Sequence, residues 1–286
     1  MGFLNRPATN QRLKPWHVAA ALVVVGTAAQ LAAMVAAVLA VLVQAAQHRT
    51  AGGLAAAPPM LPAWGMALAV LGSTVVLVVG SAGTAWLARV PVRTALGLRS
   101  PNPIVYVLAC VAAVAASPVG GLFVGIARAL APRLTLGTME AMNQQIAAVP
   151  IWFAIPVFAL LPGISEETFF RGLLLRAVRR PWLAIALSGV LFAAYHVDPH
   201  HAAGTLPLGL LLAWIAWRTD SVLVTMAGHA SFNLFAIVAE HLAGNEPQEP
   251  GLTMASVGVA AAGAVVSLGC AWAISRATAA TEARTA

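Results

Sequence analysis

Ile164-Ser165-Glu166-Glu167-Thr168-Phe169-Phe170-Arg171 follows without a break on the apolar run Ile146–Ile164. Two adjacent carboxylates and a guanidinium thus stand at the inner end of a segment that otherwise reads as a membrane span. An ionised side chain at the bilayer centre costs about 2.5–3.5 kcal/mol even on the most lenient scale. Three such groups persist there only if they do chemistry, pair with one another, or line a wet cavity. Glu167 and Arg171 are four apart, share a helical face and can pair. Glu166 lies about 100° further round the helix and is left without an evident partner.

The rest of the chain avoids charge. Of 286 residues only nine are acidic, 60% are apolar and 9% charged, with a mean hydropathy of +0.85. A soluble chain carries roughly 25% charged residues, so composition alone points to the membrane class. A span needs about 20 apolar residues. Eight segments qualify: Val18–Val43, Ala63–Leu87, Ile104–Ile126, Ile146–Ile164, Pro181–Val197, Ala202–Trp217, Ser221–Ala239 and Leu252–Ile274. The expectation is an all-α, polytopic membrane protein with about eight transmembrane helices. The fifth and sixth spans are the shortest, as befits helices around a functional cavity.

The formal charge of +7 does not point to nucleic acid. With the N-terminus in the cytoplasm, thirteen Lys and Arg residues fall on the cytoplasmic side, and only Arg49, Arg128 and Arg133 fall on the other. That is the positive-inside asymmetry. The expected partners are membrane lipid and a peptide or membrane-associated protein substrate, with no nucleic acid. Both termini are expected in the cytoplasm. An alanine-rich, arginine-over-lysine composition points to a bacterial cell membrane. Cys110 and Cys270 lie within spans, show no CxxC spacing and read as small packing residues. The polar lead is too long, and the first apolar run exceeds a signal-peptide core, so the N-terminus reads as retained.

The expected organisation is a cytoplasmic tail over 1–15, N-terminal transmembrane helices over 16–145, a catalytic core over 146–242, a last span over 252–275 and a second tail over 276–286. Both tails read as disordered. Thr50–Pro62, with Gly52-Gly53 and Pro58-Pro59, reads as an irregular external loop.

Three further polar groups share helical geometry with the glutamates. Ser188, Phe192 and His196 are spaced by four along one stripe; His229 and Asn233 are also four apart. From the Arg180-Pro181 turn, Glu166 lies 14 residues back and His196 lies 15 forward, so an antiparallel hairpin brings them level. His229 is nine residues past Asp220 and, on ideal helix rise, sits roughly 8–10 Å out of register with that pair. A carboxylate, two imidazoles and a carboxamide converging in this way suit cleavage by water. A desolvated glutamate takes a proton from water, and an imidazole shares that task or protonates the leaving amine. A second imidazole and an amide N–H donate to the developing oxyanion.

At these residues the chain resembles the CPBP intramembrane proteases, the CAAX-protease and bacteriocin-processing or Abi group, whose pattern is EExxxR, FxxxH and HxxxN or HxxxB. Here these read Glu166-Glu167-Thr-Phe-Phe-Arg171, Phe192-Ala-Ala-Tyr-His196 and His229-Ala-Ser-Phe-Asn233, in order across roughly residues 150–240. The resemblance implies that Glu166 and His196 activate water, that His229 and Asn233 hold the oxyanion or orient the first pair, and that Glu167 and Arg171 form a structural pair. Phe192 is supporting. The family is described both as metalloproteases and as metal-free glutamate enzymes. Glu166, His196 and His229 are candidate zinc ligands, but no HExxH is present, and the metal-free form is preferred. An aspartyl mechanism fails because Asp198 and Asp220 both lie at segment ends, and Gly163-Ile164-Ser165 is a poor serine-nucleophile context. The cluster His196-Val-Asp198-Pro-His200-His201 reads as a polar loop at the membrane surface. The competing readings are a proton-coupled transporter and a catalytically silent immunity or scaffold protein of the same family.

Overall fold

Proline stands at or just before the first residue of most helices, where its missing N–H is no loss and its fixed φ suits the first turn. The computed structural model describes residues 13–50, 61–243 and 252–285. Helix α1 spans Pro15–Thr50, α2 Ala63–Leu87, α3 Pro103–Ala115, α4 Ser117–Leu130, α5 Thr138–Ala148, α6 Ile151–Ala177, α7 Pro181–Tyr195, α8 Pro199–Thr219, α9 Val222–Ala243 and α10 Met254–Thr285. A single turn, Val92–Ala95, links α2 to α3. The described residues are 86% helical and include no strand. The N-terminal tail to residue 12 and most of the expected external loop lie outside those residues.

Among the described residues six segments are long and apolar enough to cross a membrane, which does not confirm the expected eight: α1, α2, the α3–α4 pair, α6, α9 and α10. The two that fall short are the ones that looked short in sequence. Helix α7 has only 15 residues, and α8 opens on Pro199-His200-His201 and carries Pro207 and Arg218, which dilute its apolar character. The span expected over Ile146–Ile164 is really two helices. Pro150 ends one and caps the next, so Ile146 belongs to the amphipathic α5 and the span starts at Ile151. Ile104–Ile126 is likewise broken at Ala116, ahead of Ser117-Pro118. At the far end the expected tail over 276–286 is helical to Thr285; alanine at 277, 279, 280 and 283 sustains the helix.

Helix α6 is the centre of the bundle. More than half of its apolar window is buried, against a third or less for the other spans. It packs on α2, on α9 and, through its second half, on α7 and α8. The outer faces of α1, α2 and α10 carry exposed Val23, Val79 and Leu268, which suits contact with lipid. Two stretches of α6, Ile155–Leu160 and Thr168–Leu174, are π-helical. Such turns insert a residue, rotate the following side chains and often accompany functional sites.

Close helix contacts set the spacing around α6. A Cβ on Gly163 would lie 3.2–3.3 Å from Ala230 N, Ala230 Cβ and Met226 O, so α6 and α9 meet almost backbone to backbone. A Cβ on Gly209 would lie 2.9 Å from both the Gly189 carbonyl and Phe192, which draws α7 and α8 together. At the arginine-rich end, Asp220 adopts a left-handed φ of 53° and pairs with Arg176 at 2.6 Å and Arg99 at 3.3 Å. Val222 N–H donates to the Gly97 carbonyl and the Ser221 hydroxyl to the Arg99 carbonyl. These bonds start α9 deep beside α6.

Candidate active site

Glu167 and Arg171, four apart on α6, form a salt bridge at 3.0 Å with neither side chain exposed. The bonds that make this burial tolerable come from neighbouring helices. Arg171 Nη2 donates to the Gly209 carbonyl on α8, and its guanidinium lies 4.3 Å from the centre of the Phe192 ring. His229 Nδ1 lies 2.9 Å from Glu167 Oε1. Glu167 therefore does more than balance Arg171: it also holds the imidazole from α9.

Glu166 faces another way. Its side chain is 15% exposed, and its Oε2 stands 4.0 Å from His229 Nε2. That oxygen has no hydrogen-bond partner within the protein. The residue borders a cavity of about 1180 Å³, whose lining includes Ser165, Glu166, Phe192, His196, His201, His229, Phe232 and Asn233. All four residues expected to carry the chemistry therefore border one space. The mismatch of roughly 8–10 Å expected for His229 on ideal helices is absent, because the π turns, the Gly163 contact and the deep Asp220 turn bring α9 alongside the glutamates.

The two histidines are held in defined tautomers. His196 Nδ1 is 3.0 Å from the Phe192 carbonyl, an acceptor only, so Nδ1 carries the proton and Nε2 of the neutral ring is an acceptor. His229 Nδ1 donates to the Glu167 carboxylate, which leaves Nε2 toward Glu166. Phe192 is almost fully buried, with ring centres 5.1 Å from His196 and 5.5 Å from His229. It is the apolar spacer on which Arg171 and both imidazoles rest.

Asn233 is engaged differently from the expectation. Its Nδ2 donates to the Phe158 carbonyl at 3.1 Å. In an α-helix that carbonyl would receive the N–H of residue 162, which is Pro162 and has none. Asn233 thus ties α9 to the π segment of α6 and keeps one amide hydrogen for the cavity. The Ser165 hydroxyl donates to the Leu161 carbonyl and accepts from Thr74 at 3.4 Å, a packing arrangement rather than a nucleophile's.

Several supporting residues were not legible beforehand. The His196-to-His201 segment is no solvated loop: Asp198 is fully buried and His200 nearly so. Asp198 Oδ1 accepts from the N–H groups of His200 and His201, and Oδ2 from Leu136 and Thr138 N–H and from two threonine hydroxyls. Burial alone would raise this carboxyl, but the backbone N–H groups of His201, Leu136, Thr138 and His200 outweigh it and hold it at about 2. His201 stacks on His196 with ring centres 4.4 Å apart. The only sequence signal was Asp-Pro, a helix-start pair.

Among the described residues no group of three His, Cys, Asp or Glu side chains is close enough to share a metal. Each histidine has Nδ1 committed and keeps Nε2 free of those bonds.

Residues 148–235 match the family described as "Rce1-like: Type II CAAX prenyl endopeptidase Rce1-like". The match supports the CPBP/CAAX protease family for this stretch. The matched residues run from the end of α5 to Phe235 on α9 and contain every residue of the glutamate–histidine cluster. No curated protein and no solved structure gives a match. The family supports an intramembrane endopeptidase of CAAX type in general, acting on membrane-embedded peptide substrates.

Proposed function

We propose that the protein hydrolyses a peptide bond of a membrane-associated protein or peptide with a water activated by Glu166 and His196. The observation that carries this reading is the division of the two glutamates. Glu167 is fully buried and held by Arg171 and His229, whereas Glu166 is partly exposed and lines the cavity. In the reaction a water held between Glu166 and His196 Nε2 gives up a proton to one of them. Its oxygen bonds to the scissile carbonyl carbon, and the carbonyl electron pair moves onto oxygen. Collapse of that oxyanion breaks the C–N bond, and the captured proton passes to the leaving amine.

Oxyanion stabilisation falls to His229 and to the spare amide hydrogen of Asn233. Donation from His229 Nε2 requires an imidazolium, and the Glu167 carboxylate at Nδ1 is placed to stabilise one. This is the logic by which a buried carboxylate orients a catalytic histidine. Each such donor is worth about 10²–10³ in rate where measured. The mechanism uses no metal. Metal analysis of protein purified without added divalent ions tests that point: activity that survives chelation supports it, and stoichiometric zinc lost together with activity contradicts it.

The transporter reading would spread ionisable groups along the membrane normal. The clustering of Glu166, Glu167, Arg171 and His229 within one set of contacts favours hydrolysis instead. The direct test compares new peptide termini in membranes carrying the parent protein and its Glu166→Ala variant.

A further inference from the structure

We infer that a groove between α4, α8 and α10 binds one anionic phospholipid, with an acyl chain lying in the groove and the phosphate at Arg276 and Arg218. The groove is separate from the site on α6, and the inference does not depend on the peptidase reading.

The groove has a volume of about 520 Å³ and shares no lining residue with the cavity beside Glu166. Val119 of α4, Pro207, Leu211 and Trp214 of α8, and Leu268 and Trp272 of α10 form most of its wall. Leu268 and Trp272 are exposed, so the groove opens to the outside of the bundle. On α10 the lining positions 264, 267, 268, 271, 272 and 275 recur at helical spacing and make one stripe. Ser267 adds little polarity to it, because its hydroxyl donates to the Ala112 carbonyl. Among the described residues that line the groove, none is acidic or basic. Such a wall suits a hydrocarbon chain and leaves a peptide backbone without hydrogen-bond partners.

The length of the groove fits one leaflet. At the inner end α10 closes on the bundle, where a Cβ on Gly263 would lie 2.3 Å from the Ala115 carbonyl oxygen. Further along, Trp214 and Trp272 both border the gap between α8 and α10. From Ala264 to Ser275 helix α10 rises roughly 17 Å, little more than half of the ~30 Å hydrocarbon core of a bilayer. That is the depth over which a single acyl chain extends.

Charge selects the headgroup. One turn beyond Trp272, the exposed Arg276 sets its guanidinium 5.1 Å from the centre of the Trp272 ring. From α8, Arg218 Nη2 donates to the Ser275 carbonyl. Two guanidinium groups thus stand at the mouth of an apolar groove. Basic residues between membrane helices recognise anionic lipid headgroups, and tryptophan marks the interfacial level. The planar fork of arginine matches phosphate oxygens. The same charges disfavour a second copy of the chain as the occupant. A neighbour in the same membrane orientation would bring its own Arg218 and Arg276 to this level, like charge against like. Pro207 and Leu211 flank Gly209, whose carbonyl accepts from Arg171, so a lipid seated here braces α8 at the turn that holds Arg171.

The test uses the full chain, purified in detergent, stripped of lipid and titrated with phosphatidylglycerol or phosphatidylcholine. Bound lipid is counted by native mass spectrometry, and melting temperature is read on the same samples. The parent should retain one phosphatidylglycerol under conditions in which phosphatidylcholine is lost, and should gain melting temperature with the former alone. Arg276 is exposed, so Arg276→Gln leaves the fold intact. It should weaken phosphatidylglycerol binding about fivefold, the effect of one arginine at an anionic lipid surface, and Arg276→Lys should restore most of the loss. Ala271→Phe, which fills the groove, should abolish retention. Equal retention of the two lipids by the parent, or phosphatidylglycerol binding undiminished in either Arg276→Gln or Ala271→Phe, overturns the inference. So does a dimer of the lipid-free parent that Ala271→Phe dissociates, since it assigns the groove to a second copy. Lipid counts and melting are read without substrate and should be the same in Glu166→Ala protein, so failure here is distinct from failure of the peptidase reading.

Discussion

His229 donates to Glu167, not to Glu166: Nδ1 lies 2.9 Å from Glu167 Oε1, while Nε2 stands 4.0 Å from Glu166 Oε2. Adjacent carboxylates on one helix point about 100° apart, so one can be tied into the protein while the other remains open to the cavity. The pairing of Glu167 with Arg171 supplies the buried countercharge that makes this possible.

Removing one partner of that pair should unfold more than it inactivates. Glu167→Gln or Arg171→Ala leaves a buried charge uncompensated, a loss of about 3–5 kcal/mol in comparable pairs. The double variant Glu167→Gln/Arg171→Met removes both charges and should recover part of that stability while staying inactive, because His229 is no longer oriented. Thermal unfolding of the three proteins in one detergent checks this. Equal melting of Glu167→Gln and the parent, with activity lost, would assign Glu167 to the chemistry itself.

Gly209→Ala probes the support beneath the site. The added methyl meets the Gly189 carbonyl and Phe192, both at 2.9 Å, and Gly209 also presents the carbonyl that accepts from Arg171. Overpacking of this kind typically costs about 1–3 kcal/mol. Because Phe192 carries both imidazoles, activity should fall as well, and Gly83→Ala, with open space around it, is the control expected to change neither. Equal melting temperatures for the two variants would contradict the close-packing account.

Asp198 should confer an acid-sensitive share of stability. Its folded-state carboxyl is held at about 2 against an ordinary 3.8, so its contribution is complete above pH 3.8 and is lost as pH falls toward 2. The amount is about 2 kcal/mol. The stability difference between the parent and Asp198→Ala should therefore be constant from neutral pH to about 4 and shrink below it. A difference that persists undiminished to pH 2 would show that the cap works by shape alone.

Much of the helical architecture was legible because apolar runs long enough to span announce themselves, and the residues of the glutamate–histidine cluster were legible because charge is so scarce around Glu166, Glu167 and Arg171. The rest depended on backbone detail that composition hides. Pro150 and Ser117-Pro118 divide apolar runs that looked continuous, and α7 and α8 fall short as spans on length and polarity. Gly163 and Gly209 set the helix contacts, yet among 24 glycines nothing marked them. The engagement of Asn233 with the Phe158 carbonyl follows from Pro162 only once the helices are known to meet. His201 and Asp198 read as a surface loop because their partners at Leu136 and Thr138 are some 60 residues away.

The most direct test of the central claim is the peptide-bond cleavage rate of purified, lipid-reconstituted Glu166→Ala beside the parent, with melting temperature measured on the same samples. A general base at this position contributes about 10²–10⁴ in rate. The account predicts a loss of that order with an unchanged melting temperature, since no hydrogen bond within the protein ties down Glu166 Oε2. Retention of most of the parent's rate by folded Glu166→Ala protein would contradict it.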